Sequence, residues 1–230
     1  MKNLLYKELK LCVPSFVFFY LAFSCMMLIP SYPYLVAFFF ICNATMYIFT
    51  QGQANGDFQY SAMLPIAKRD IVRARYLSVM LFQMLFVVLC TGLIFLHHGL
   101  PPKGLPSNPA GIDGGLTLIG AGLSVIGLYN LIGIPAYFKS DIKIGRIMLT
   151  TIIGLFAYIF VVEGIAIASA VAQETVPLFD WIERTLDCFP ETPAAWNAQI
   201  IALLLGAAAY AALTALGLRK SIRNFEQVNL

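Results

Sequence analysis

An all-α membrane protein with six transmembrane helices and both termini cytoplasmic is predicted by three observations on this sequence. First, 60% of its 230 residues are hydrophobic and only 12% are charged, where soluble domains carry about 25% charged residues, so the chain must meet lipid. Second, six apolar runs are long enough to span a bilayer core at about 20 residues each. Third, when those runs are threaded alternately, thirteen of the fifteen Lys and Arg fall on one side, and such an excess marks the cytoplasm. Spans with short connections leave no room for a globular extramembrane domain, so residues 1–230 form a single transmembrane domain.

The elements follow in order. Residues 1–11 place Asn3, Lys7 and Lys10 on one helical face and Leu5 and Leu9 on another, which suits an elbow helix lying in the interface or a plain membrane anchor. Lys2, Lys7 and Lys10 precede an apolar run, as in a signal peptide. The run is long enough to span and lacks a small-residue cleavage site, so it is read as retained. The spans are then about 12–30, 33–50, 71–98, 114–138, 147–172 and 199–218. Only Ser31-Tyr32 separates Pro30 from Pro33, which makes the first pair a tight hairpin. Pro135 predicts a kink near the end of the fourth span. On the outer side, Pro and Gly make 99–112 irregular. Residues 173–196 set Leu178, Phe179, Trp181, Ile182 and Leu186 among acids, the pattern of an amphipathic helix on the membrane surface or over a cavity.

Several functions are excluded. A net charge of +3 with no basic stripe beside aromatics argues against nucleic acid. Cys12, Cys25, Cys42 and Cys90 lie in apolar stretches and only Cys188 in a polar loop, so neither a disulfide framework nor a metal cluster is expected. No Gly-x-x-x-x-Gly-Lys stretch followed by Ser or Thr is present, so the chain lacks the amides and lysine that cradle nucleotide phosphates. It is not an enzyme by that criterion, and any ATP hydrolysis must come from a partner. Ser124 with His97 or His98 makes a poor protease constellation, because small residues within spans mark close helix packing. Adjacent histidines on a helix point about 100° apart, which suits an interfacial pair rather than a metal site.

Within the spans, Glu163 is an ionisable residue flanked by Val161, Val162 and Gly164, and its cost in lipid makes a role the default. Two roles stay open: lining a translocation path that meets cationic cargo, or, as a protonated carboxyl, bonding to a neighbouring helix. Asn43, Gln83 and Asn130 suit interhelical hydrogen bonds. Gly206 and Tyr210, with the alanines around them, suit close packing, including packing between two copies.

The loop 51–70, QGQANGDFQYSAMLPIAKRD, is the inner loop that mixes glycine, acids, aromatics and bases. Asn55-Gly56-Asp57 favours a turn or helix cap, Phe58, Tyr60, Met63 and Leu64 give a short apolar and aromatic helix, and Pro65 stops it. Lys68, Arg69 and Asp70 then open the third span. This is either a docking helix by which a soluble motor grips the membrane protein, or a solvated basic linker.

Three features carry a family resemblance: Lys7-Glu8-Leu9-Lys10 before the first span, Leu28-Ile29-Pro30-Ser31-Tyr32-Pro33 at the first hairpin, and Asn55-x-Asp57-x-x-Tyr60 followed by Leu64-Pro65-x-x-Lys68-Arg69-x-Ile71-Val72. They resemble the short permease subunits of type-2 ATP-binding-cassette exporters, and among these the permease of the phenol-soluble modulin exporter of Gram-positive bacteria. Gln53-Ala54-Asn55 departs from the Arg-Glu-Asn of that pattern, so no role is carried over to Gln53 or Ala54. The resemblance implies a homodimer in the bacterial cell membrane, docked on two copies of an ATPase subunit that bind ATP and Mg. The loop is then the coupling helix: Asp57, Phe58, Tyr60 and Leu64 insert into or cap a groove on the ATPase, and Lys68 and Arg69 contact its surface or lipid phosphates. Asp141 and Lys143, on the next inner loop, form a second docking contact. The implied cargo is an amphipathic or hydrophobic peptide. The alternatives are an exporter of a drug, bacteriocin or lipid with the same architecture, or a docking or sensor protein that transports nothing.

Overall fold

In the computed structural model the described residues are 2–29, 32–63, 65–99, 111–139, 143–171 and 193–227, with the backbone alone described for 2, 3, 11, 12, 58, 59, 62, 97–99, 170, 171 and 194. All regular structure among them is helical. Most of the two outer loops, and with them Cys188, lie outside the described residues, as do Leu64 and Asp141.

The chain begins with α1 (Lys2–Lys7), which continues as a π-helical turn over Glu8–Cys12. Next come α2 (Phe16–Leu21), extended by a 3-10 segment over Ala22–Leu28, then α3 (Leu35–Ala54), α4 (Asp57–Met63) and α5 (Lys68–Gly99). The remaining helices are α6 (Leu116–Ala136), α7 (Ile144–Val171) and α8 (Pro193–Glu226). Five of these, α3, α5, α6, α7 and α8, are long and apolar enough to cross a membrane.

The first expected span differs. Its helical part covers only Phe16–Leu28, which reaches roughly 20–25 Å with its 3-10 half, short of a hydrocarbon core of about 30 Å. Two prolines explain the cut. The residue before a proline is pushed out of the helical region by the ring, and Val13 (φ −90, ψ 111) and Ile29 (φ −90, ψ 114) are both extended. Pro14 and Pro30 therefore bracket a run whose apolar composition continues past both.

The last helix departs in the opposite direction. α8 begins before Gln199 and continues through Arg219-Lys220-Ser221 to Glu226, because this polar tail finds partners on its neighbours. Ser221 Oγ lies 3.2 Å from the Tyr76 hydroxyl, Asn224 Nδ2 donates to the Pro135 carbonyl at 2.8 Å, and Phe225 meets Phe138 edge-on at 5.6 Å. Pro135 itself sits in the last turn of α6, which ends at Ala136.

Helices α2 and α3 run antiparallel, with Phe16 against Tyr47 at 5.1 Å and Phe23 stacked on Phe40 at 4.3 Å. Helices α6 and α8 pack most closely: a Cβ on Gly120 would lie 2.6 Å from the Ala202 carbonyl oxygen, and a Cβ on Gly206 would overlap the Gly120 backbone. Glycine lets the two backbones touch, as small residues do between membrane helices. The partner of Gly206 and Tyr210 is thus α6 of the same chain. Across this pair, buried Asn130 exchanges amide hydrogen bonds with Gln83 of α5 at 2.8 and 3.1 Å and donates to Thr214 of α8 at 3.0 Å. These bonds join α5, α6 and α8 in the buried interior, where each polar group is satisfied by another helix.

The bundle has two chemically different ends. Lys7, Asp57, Lys68, Arg75 and Phe225 share one end, which gathers the basic segments that the sequence places on one side. Leu35, Ile112 and Glu163 meet at the other.

Candidate functional site

The site at the basic end is built around α4, held between two long helices. α3 stops at Asn55, whose amide still bonds to the Gln51 carbonyl at 3.0 Å. Gly56 then turns with φ 66, a left-handed conformation that glycine adopts without a Cβ clash. Its carbonyl accepts from the Tyr60 amide at 3.0 Å, so the turn leads directly into α4. Asp57 stands in the first turn, where a carboxylate complements the helix dipole.

α4 has two faces. One points away from the protein: Tyr60 is 62% and Met63 84% exposed. The other is bound into a cluster of charges. Lys7 Nζ donates to Asp57 Oδ1 and to Ser61 Oγ, both at 2.6 Å. Arg75 Nη2 pairs with Asp57 Oδ2, and Arg75 Nε with Glu8 Oε2. Lys7 also lies 4.0 Å from Glu8 and 5.8 Å from the centre of the Tyr60 ring. One guanidinium thus joins two carboxylates on different elements, for which its rigid fork of donors is suited.

Glu8 is 0% and Arg75 1% exposed. Burying such ions costs several kcal/mol each unless they are paired, and here two cations meet two anions. The surroundings are shaped for the arginine. A Cβ on Gly52 would lie 2.6 Å from Arg75 Nη1, so glycine at that turn of α3 makes the room. The guanidinium lies 6.0 Å from the Phe49 ring centre, and Phe49 stacks on Tyr137 at 5.0 Å.

At the far end, buried Glu163 of α7 accepts from the backbone amides of Leu35 at 3.3 Å and Ile112 at 3.1 Å. Leu35 opens α3, so the carboxylate occupies an orphan-donor position at a helix N-terminus. Gly111 (φ +150) runs against it so closely that a Cβ there would overlap the carboxylate. Glu163 thus accepts hydrogen bonds from two other segments of the chain, as the bonding role requires.

A family model described as ABC-2 family transporter protein matches residues 3–226. The chain belongs to that family. No curated protein and no solved structure matches the chain. As an ABC-2 family member with five long apolar helices among its described residues, it is a multi-pass membrane protein, and a bacterial plasma membrane fits. The family is one of permeases whose ATPase is generally a partner subunit.

Of the residues that the sequence singles out on this ABC-2 chain, the structure brings Asp57 and Tyr60 together on α4 and places Phe58 on the same helix. Lys68 stands at the start of α5, 6.0 Å from the Phe225 ring centre, and Arg69 beside it is exposed. Lys143 is exposed just before α7. Sequence reasoning missed Glu8, Ser61 and Arg75, and it read Lys7 only as a basic residue. A signal was present. Glu8 is the one acid among the first eleven residues, and Arg75 is the last charge before a long apolar run, and a charge that deep calls for a partner. The inward face of α1 also differs from the expected one: Leu4 and Glu8 are buried while Leu9 is exposed, because Arg75 neutralises the acid and lets it turn inward.

Proposed function

We propose that this chain is the permease subunit of an ATP-driven exporter, that two copies form the translocation path, and that each docks through α4 on a separate ATPase subunit. The observation that carries the reading is the geometry of α4. It is a short helix between two spans, at the basic and therefore cytoplasmic end, with one face fixed by Lys7 and Arg75 and an aromatic and a methionine exposed on the other. A rigid projection with an apolar tip is what a soluble motor needs to move a membrane helix.

On this reading Phe58, Tyr60 and Leu64 enter or cap a groove on the ATPase, Asp57 holds the helix at its angle, and Lys68 and Arg69 contact the ATPase surface or lipid phosphates. Asp141 and Lys143 make a second contact. Glu163 is a structural clasp rather than a cargo ligand. ATP and Mg bind in the partner, whose closure moves α4 and rocks the spans between inward and outward openings. The favoured cargo is an amphipathic or hydrophobic peptide, as the resemblance to the phenol-soluble modulin exporter suggests; a drug, bacteriocin or lipid would use the same architecture.

The test is to purify the tagged chain from its native membrane in mild detergent and identify co-purifying proteins. A P-loop ATPase near one-to-one, weakened by Tyr60→Ala in a chain that still migrates as a folded protein, supports the reading. Absence of any ATPase from several detergents overturns it. Stimulation of the complex's ATP hydrolysis by an amphipathic peptide, but not by lipid or drug, would select the cargo class.

A further inference from the structure

We infer that Glu8 and Arg75 are positioning residues that make the N-terminal helix, residues 2–12, a second arm of the coupling device rather than a passive anchor. The inference rests on the reading of α4 as the coupling helix. A helix that merely lies at the interface would turn its charged residues to water, as Lys10 does here. Glu8 does the opposite: it is 0% exposed and paired with Arg75 Nε. The same guanidinium holds Asp57, the first residue of α4, and Lys7 spans from the N-terminal helix to Asp57 and Ser61.

The helix over 2–12, α4 and α5 are therefore tied by one charge cluster centred on buried Glu8 and Arg75, in which Glu8 is held by ion pairing and Asp57 by hydrogen bonds. Such a cluster resists being pulled apart, because separating Glu8 from Arg75 leaves an uncompensated charge in a dry environment. A push received at α4 thus reaches α5 and the N-terminal helix together. The latter connects to α2 through Val13, Pro14 and Ser15, a link stiffened by the fixed φ of proline. The first apolar helix, bracketed by prolines and shorter than a full span, is the element that this arm would move. Lys7 closes the cluster on its more accessible side, at 17% exposure of its side chain.

The experiment is hydrogen–deuterium exchange on the complex with its co-purified ATPase, comparing nucleotide-free and ATP–vanadate-trapped states. In the wild type, trapping is expected to change exchange in peptides covering 2–12 and 57–63 together. In Glu8→Gln the ATPase still co-purifies and 57–63 still responds, but the response of 2–12 is lost, and Glu8→Asp restores it. Should Glu8→Gln fail to assemble, Lys7→Met leaves the Glu8–Arg75 pair in place and is expected to diminish the 2–12 response selectively. A 2–12 segment that ignores trapping in the wild type, or that responds undiminished in the variants, overturns the inference while leaving the coupling helix intact. If 57–63 itself does not respond in the wild type, the coupling-helix reading fails, and this inference falls with it.

Discussion

Arg75 illustrates how one side chain can organise three segments. Its guanidinium forms ion pairs with Glu8 and Asp57 at once, and Gly52 leaves the space that it fills. Arg75→Ala is expected to cost about 3–5 kcal/mol, since both carboxylates lose their common partner. The temperature at which the detergent-solubilised chain leaves its monodisperse peak should fall accordingly, and an unchanged temperature would refute the cluster. Arg75→Lys should recover only part of that loss, because an ammonium offers a point charge where a fork is needed. At the far end, Glu163→Ala leaves the amides of Leu35 and Ile112 without their acceptor, at about 1–3 kcal/mol for each buried donor. Glu163→Gln keeps an acceptor oxygen and should lose less in the same assay. The sequence made Asp57, Tyr60 and Glu163 visible through their local context. Glu8 stayed hidden because an acid in a basic, amphipathic segment looks solvated until its partner from α5 is known.

Among the elements, α6 and α8 form the closest pair, through Gly120 and Gly206. Gly206→Leu is expected to force them apart at about 1–3 kcal/mol or more, as overpacking does, and to raise proteolytic sensitivity in native membranes; unchanged resistance would count against this packing. Asn130→Leu removes the hydrogen bonds to Gln83 and Thr214 and should cost about 2 kcal/mol in all, since interhelical hydrogen bonds in membranes average about 0.6 kcal/mol each. The five long helices were legible because hydropathy sums over neighbours in sequence. The first apolar helix was overestimated for the same reason: its residues are apolar from end to end, but Pro14 and Pro30 set the backbone at its ends. Conversely, α8 was underestimated, because Ser221, Asn224 and Phe225 read as a polar tail until their partners on α5 and α6 are in place.

In the whole molecule, the segments rich in Lys and Arg converge on one end, where α4 projects, while Glu163 ties the helices at the other. A cysteine introduced at Lys143 or Lys220, in a chain whose native cysteines are replaced, is expected to be protected from a membrane-impermeant maleimide in intact cells and labelled in inside-out vesicles. Labelling in intact cells would reverse the orientation and remove α4 from the reach of a cytoplasmic ATPase. Outward-turned apolar residues such as Leu149, Ile153 and Phe160 on α7 and Leu204 and Leu205 on α8 suit contact with lipid or with a second copy, in keeping with a chain that has no aqueous exterior along most of its length.

By itself the sequence determined the solvent, the one-sidedness of the charge, the long helices and the short helix between the second and third apolar runs. Each of these depends on composition over a few consecutive turns, which the order of residues states directly. The tertiary structure alone decided that Glu8, Arg75, Asp57 and Lys7 form one cluster around the buried Glu8–Arg75 pair, that Glu163 bonds to the start of α3, and that glycines join α6 to α8. Those contacts connect residues far apart along the chain. Their energies arise from desolvation and donor geometry, which exist only once the helices have packed.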